Sequence, residues 1–122
     1  MKPEDKKLLE LDICARFPFG VYAKLDDKDV KVIDIYYSRG SLFFNLVADK
    51  TYVGVEADRI RPYLRKLSSM TVDEEAEYIK VFHTYPVSKF IAWLYEHHFD
   101  YNGLIDLGLA VEAPDWMYRE VE

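Results

Sequence analysis

This chain is poor in the residues that build disulfide, zinc and phosphate-binding sites. Its 122 residues include one cysteine, three histidines and five glycines. The single cysteine, Cys14, cannot close a disulfide within the chain, and one free thiol is typical of a reducing compartment. Cys14 lies in the apolar stretch "ICARF", which favours a small buried side chain over a nucleophile. The sequence has no Gly-rich phosphate loop and no G-x-S-x-G motif.

Long apolar runs are also missing. No stretch reaches the length of a membrane-spanning helix. The first twelve residues, "MKPEDKKLLELD", are too charged for a secretory signal peptide. We therefore expect a cytoplasmic protein with no membrane partner.

The charge of the chain is acidic and unevenly distributed. The formal net charge is −6 at pH 7, with a net of +1 over residues 1–65 and a net of −7 over residues 66–122. An acidic surface repels the phosphate backbone of nucleic acids. The charge therefore disfavours a nucleic-acid partner, although it does not exclude one.

The composition predicts one globular domain over residues 1–122. Half of the residues are hydrophobic and 16% are aromatic, which is enough for a real core. A domain of this size folds without a metal or a disulfide, and we expect no cofactor. Strand signals dominate about residues 17–65 and helix signals dominate about residues 66–122, so the expected fold class is α+β.

A short helix is expected at the N-terminal end, over residues 4–16. Pro3 and the acidic residues that follow it suit the first turn of a helix. The amphipathic face is predicted to hold Leu8, Leu11 and Ala15, with Leu9 and Ile13 next to it. The segment "FPFG" then ends the helix.

Four strand candidates follow, separated by short polar turns, which predicts an antiparallel meander. They are residues 21–25, 30–37, 42–47 and 51–55. In the second strand, period-2 alternation places Val30, Val32, Asp34 and Tyr36 on one face. Together with a bend in "EADRIRPYL", this order resembles a small SH3-like or Tudor-like barrel. An open sheet packed by helices is the alternative.

The helical section begins with a clear start signal. Thr71 followed by Glu74 forms a capping box, in which each side chain satisfies a free backbone donor. The spacing that follows predicts a core-facing stripe formed by Val72, Ala76, Ile79 and Phe82. The segment "TYP" ends this helix.

A second helix is expected over residues 87–98. Its predicted inward stripe consists of Val87, Phe90, Ile91, Leu94 and His98. After it, "DYNGLIDLGLA" is typical of a helical turn stopped by Gly108. The stretch "LAVEA" predicts a short strand that could join the sheet.

The pair His97–His98 and the nearby Asp100 are the only candidates for acid–base or metal chemistry. Adjacent residues on a helix point about 100° apart, so the two histidines cannot share one ion easily. His97 and Asp100 are three residues apart, but Asn102 and Gly103 indicate that the helix is ending. A small hydrolase or metal enzyme is therefore the weakest hypothesis, and His98 is better explained as a partly buried side chain.

A basic segment and a surplus of strand aromatics are the better candidates for binding. The predicted interaction residues are Arg59, Arg61, Tyr63, Arg65, Lys66, Tyr36, Tyr37 and Tyr52. The cations could bind an acidic partner or, with Tyr63 stacking on a base, a nucleic-acid strand. The alternative is that they pair with the acidic second half of the same chain.

Three segments carry a resemblance to a known group of proteins: "DICARFPFGV", "IRPYLRKLSSMT" and "WLYEHHFDYNGLIDLGLA". With them the chain resembles a family of short uncharacterised proteins of gut Bacteroidetes and their prophages or mobile elements. The resemblance implies a bacterial cytoplasmic or phage-related setting, and it brings no activity, cofactor or catalytic residue. The leading hypothesis is a non-enzymatic protein-binding or accessory protein, with a homodimer as one form of that binding.

Overall fold

A computed structural model describes residues 1–118 and has a mixed α+β architecture, as the sequence predicted. The helices are α1 (Pro3–Arg16), α2 (Val72–Thr84) and α3 (Val87–Glu96). The strands are β1 (Tyr22–Leu25), β2 (Lys28–Ser38), β3 (Ser41–Val47), β4 (Thr51–Val55), β5 (Ile60–Leu64) and β6 (Val111–Glu112). Within residues 1–118, no helix has the length and apolarity needed to cross a membrane.

The strands form one open sheet in the order β4-β3-β2-β1-β5-β6. All neighbours are antiparallel except β5 and β6, which run parallel. The four predicted strands form the antiparallel series β1 to β4, but β5 and β6 extend the sheet to six strands, so a count of four is not confirmed. Barrel-like closure is not confirmed either, because β4 and β6 form two separate edges. The sequence suggested a bend at Pro62, but this residue lies inside β5 opposite Ala23.

The buried face of the sheet packs against α1. Leu9 and Ile13 of α1 are fully buried against strand residues such as Ala23 and Phe44. The predicted face of α1 is out of phase, because Leu11 is 63% exposed. The inward positions of α1 also include a charged pair, Asp12 and Arg16, which hydrophobic periodicity cannot reveal.

A β-bulge shifts the alternation of β2. The pairing register between β2 and β3 slips between Val32 and Asp34, so Ile33 is an extra, exposed residue. Val32 faces the core before the bulge and Ile35 packs against it afterwards. The predicted common face of Val32 and Asp34 was therefore wrong. The carboxylate of Asp34 accepts a hydrogen bond from the backbone N–H of Ile35, at 2.9 Å.

A second, smaller core lies between α2, α3 and the chain that follows α3. Its buried members are Val81, Trp93, Leu94 and Phe99. Phe90 also packs against it, as the sequence predicted for α3, whereas Val87 is exposed. The α2–α3 hairpin is thus attached to the sheet domain through its own aromatic cluster.

Candidate interaction surface

The apolar stripe of α2 faces solvent instead of the core. Val72 is 84% exposed, Ile79 is 49% exposed and Phe82 is 56% exposed, and Ala76 and His83 are exposed as well. We call these five residues the outer face of α2. The predicted stripe exists as a pattern on the helix, but the prediction that it faces the core was wrong. Only Phe82 has a described aromatic neighbour on another element, since its ring packs edge-on against Phe90 with 5.2 Å between ring centres.

Polar contacts explain why α2 has this orientation. Glu74 accepts two hydrogen bonds from the guanidinium of Arg65, at 2.6 and 2.7 Å, and Arg65 also lies 4.3 Å above the ring of Phe99. The indole N–H of Trp93 donates to Glu77 at 3.0 Å. Together with the packing of Val81, these contacts turn the acidic and aromatic side of α2 inward.

The N-terminal end of α2 is held by the predicted capping box. The hydroxyl of Thr71 accepts from the N–H of Glu74 at 3.1 Å, and the Glu74 carboxylate accepts from the N–H of Thr71 at 3.0 Å. Hydrogen bonds from Arg65, followed by the Thr71 backbone, lower the pKa of Glu74 to about 2. Glu74 is therefore ionised at any physiological pH, and it links the start of α2 to Arg65, the residue that follows β5.

A groove runs beside the outer face of α2. It has a volume of about 420 Å³ and lies between the turn Leu67–Ser69 and the helix. Its apolar lining comes from Leu67, Met70, Tyr78 and Ile79. Because Ile79 belongs to both the groove and the outer face, the two form one continuous surface.

The structure does not gather the predicted basic segment into one patch. Arg59 lies 3.4 Å from Asp26, and Lys66 lies 3.5 Å from Glu112. Arg61 donates to the backbone carbonyls of Asp58 and Ile60, at 2.9 and 3.0 Å. Arg65 is bound to Glu74, as described above. Two of the four cations thus contact acids of the second half of the chain, which is one of the alternatives left open by the sequence.

The predicted aromatic residues occupy different environments. Tyr63 is only 6% exposed, and its hydroxyl donates to the carboxylate of Asp29 at 2.5 Å. Tyr52 packs against the core. Tyr36 and Tyr37 are exposed, and the ring of Tyr36 stacks on Phe43. A binding role for these residues stays a prediction.

A second cleft, of about 430 Å³, lies where the segment after β6 crosses the outer face of the sheet. Tyr22, Lys31, Trp116 and Tyr118 are among the residues that line it. The Tyr118 hydroxyl accepts from the backbone N–H of Tyr22 at 2.9 Å and donates to its carbonyl at 3.1 Å. Burial raises the pKa of Tyr118. The two hydrogen bonds between Tyr118 and Tyr22 therefore hold the segment after β6 on the sheet.

His98 is buried, and the sequence predicted a partly buried side chain at this position. Its ring stacks on Tyr118 with 3.8 Å between ring centres, and its Nε2 lies 3.3 Å from the Phe19 carbonyl. Burial, with a smaller contribution from the charge of Arg16, lowers its pKa to about 4. His98 is therefore neutral at physiological pH, and its Nε2–H donates to Phe19.

The proposed His97–Asp100 pair has no catalytic arrangement. His97 lies against the ring of Trp93. The Asp100 carboxylate accepts from the backbone N–H groups of Leu104 and Ile105, at 2.8 and 3.0 Å, so it caps the turn that follows. Within residues 1–118, no three His, Cys, Asp or Glu side chains lie together in a way that could hold a metal ion.

The sequence reasoning missed a buried polar cluster under α1. Arg16 donates to both carboxylate oxygens of Asp12, at 2.6 and 3.1 Å, and to the carbonyl of Phe99 at 2.7 Å. Asn102 donates to Asp12 at 2.8 Å, and Arg16 also lies over the ring of Tyr95. The i,i+4 spacing of an acid and a base was the available signal.

No protein-family model, no curated protein and no solved structure matches this chain.

Proposed function

We propose that this chain is a non-enzymatic protein-binding protein and that it binds through the outer face of α2. The observation that carries the proposal is the exposure of an apolar helical stripe next to a groove whose lining includes Leu67, Met70 and Ile79. A contiguous exposed apolar surface is typical of a protein interface. The family resemblance adds the further proposal that this binding occurs in a bacterial cytoplasmic or phage-related setting.

The two alternative functions have less support. A nucleic-acid module would need the basic segment as a free patch, and its cations are spread over separate ion pairs and backbone contacts. An enzyme centred on His97 would need the Asp100 carboxylate, which is bound to two backbone N–H groups. Neither alternative has an observation in its favour that compares with the exposed α2 stripe.

Site-specific photo-crosslinking in the native host tests the proposal. A photo-reactive amino acid at Ile79 is expected to give a protein–protein adduct, because that position would lie inside the interface. The same amino acid at Leu11, an exposed apolar position on α1, is the matched control and should give little adduct. Equal adduct yields at both positions, or no adduct at Ile79, would overturn the proposal.

A further inference from the structure

We infer that the partner of the outer face of α2 is a second copy of this chain, bound with its α2 antiparallel to the first. This inference rests on the proposed function, because it names the occupant of the same surface. The spacing of the apolar residues, their sizes and the charge distribution along α2 support it.

The spacing is that of a helix seam. Val72, Ala76, Ile79 and His83 follow one another at intervals of four, three and four residues. This is the repeat with which one helix packs its side chains between those of another. All four positions are exposed, so the seam is open.

The side-chain sizes fit an antiparallel pair. Two copies can be aligned so that Ala76 of each lies opposite Ile79 of the other. The same alignment places Val72 of each opposite His83 of the other. A small residue then faces a large one at the centre of the contact, twice by symmetry, which lets the helices approach closely.

The charge of α2 changes sign along its length. Apart from Glu74 and Glu77, which accept hydrogen bonds from Arg65 and Trp93, the first half carries the exposed acids Asp73 and Glu75, and the second half carries the exposed base Lys80. A parallel pair would place the acidic halves side by side. An antiparallel pair places the acidic half of each copy against the basic half of the other, and it also opposes the two helix dipoles.

One pair of residues defines the expected arrangement. Asp73 and Lys80 are seven residues apart, so they lie on the same flank of α2. In a two-fold antiparallel pair, this flank of one copy lies beside the same flank of the other copy. Asp73 of each copy then faces Lys80 of the other, with an offset of about 3 Å along the helix axis. No ion pair within residues 1–118 uses either side chain.

Analytical ultracentrifugation over a range of concentrations is the first test. The contact is short, since α2 has 13 residues, so we expect a reversible dimer with a Kd on the order of micromolar. Ile79→Asp should weaken the dimer more than about tenfold, because it places a carboxylate in the seam. Leu11→Asp is the matched control and should leave the dissociation constant unchanged.

Charge exchange then tests the orientation. Asp73→Lys alone and Lys80→Asp alone should each weaken the dimer, by about threefold to tenfold for two affected pairs. An equimolar mixture of these two variants should recover wild-type affinity as a heterodimer, measured by energy transfer between labelled copies. A mixture of Glu75→Lys with Lys80→Asp should show no gain over the average of the two homodimers.

The outcomes separate this inference from the function on which it rests. Recovery by the Glu75→Lys mixture instead of the Asp73→Lys mixture would indicate a parallel pair and would overturn the antiparallel arrangement. A wild-type protein that stays monomeric at about a hundred times the expected Kd would overturn the inference of a second copy. If the crosslinker at Ile79 then captured a different protein, the proposed function would still be supported, without the inference of a second copy.

Discussion

The guanidinium of Arg16 and the carboxylate of Asp12 form a fully buried ion pair inside α1. Both side chains are inaccessible to solvent, and their nearest atoms are 2.6 Å apart. The pair also links α1 to the turn after α3, because Arg16 donates to the carbonyl of Phe99 and Asp12 accepts from Asn102. It therefore connects the two hydrophobic cores.

Removing one partner of this pair should be costly. Asp12→Ala leaves the Arg16 charge buried without its counter-ion, and we expect the free energy of unfolding to fall by about 3–5 kcal/mol. Urea denaturation measures this change. Glu56→Ala, which breaks the partly exposed pair with Lys6, is the control and should cost no more than about 1 kcal/mol.

The double variant Asp12→Leu with Arg16→Met sharpens this prediction. It removes both charges and keeps an apolar side chain at each position, so it should be more stable than Asp12→Ala. A double variant that is less stable than the single one would show that the hydrogen bond from Arg16 to the Phe99 carbonyl, which only the double variant loses, matters more than charge balance.

His98 should make the protein less stable in mild acid. Its pKa is about 4 in the folded protein and ordinarily 6.5, so between these values the unfolded chain binds a proton that the folded protein excludes. The free energy of unfolding should therefore fall as pH falls from 6.5 to 4, by at most about 1.4 kcal/mol per pH unit.

Comparison with His98→Asn isolates this effect. Asparagine tolerates the positive φ of 60° at this position and does not titrate. The difference in stability between the two proteins should therefore change with pH only in that window. Glu74, whose pKa is lowered to about 2, contributes its loss of stability at lower pH, as pH falls from 4.5 to 2. Parallel pH curves for wild type and His98→Asn would contradict the assignment.

Asp100 should prove to be a structural residue. Asp100→Ala removes the acceptor for two backbone N–H groups, so we expect a loss of about 1–2 kcal/mol in thermal or urea unfolding. The control Asp106→Ala changes an exposed acid in the same turn region and should have little effect. His97→Ala should not mimic the loss, because the Asp100 carboxylate is bound to backbone N–H groups and His97 lies against the ring of Trp93.

Local signals in the sequence were enough to predict most elements but not their orientation. The capping box at Thr71, the first helix and the antiparallel strands all depend on neighbouring residues, and all were found. The strand at Pro62 was missed because proline is a turn signal, and its place in the sheet depends on pairing with a distant segment, β1. The bulge at Ile33 is likewise decided by the register with β3.

The orientation of α2 was the most informative error. Periodicity shows that two faces of a helix differ, and it is usual to assume that the apolar face is buried. Here the side of α2 that carries Glu74 and Glu77 faces inward, because Arg65 and Trp93 donate hydrogen bonds to these two carboxylates. Those partners lie on other elements, so one-dimensional patterning could not reveal them. The exposure of the apolar face of α2 could therefore not be predicted from the sequence.

The edge strand β4 has a consequence for how this protein can assemble. Gly54 has a φ of +69°, and its N–H donates to the side chain of Asn45 at 3.1 Å instead of pointing outward. At the opposite edge, β6 has only two residues. Both ends of the sheet are therefore poor templates for an added strand. Growth of the sheet into a fibre is discouraged, and any assembly that forms through the helices can close after two copies.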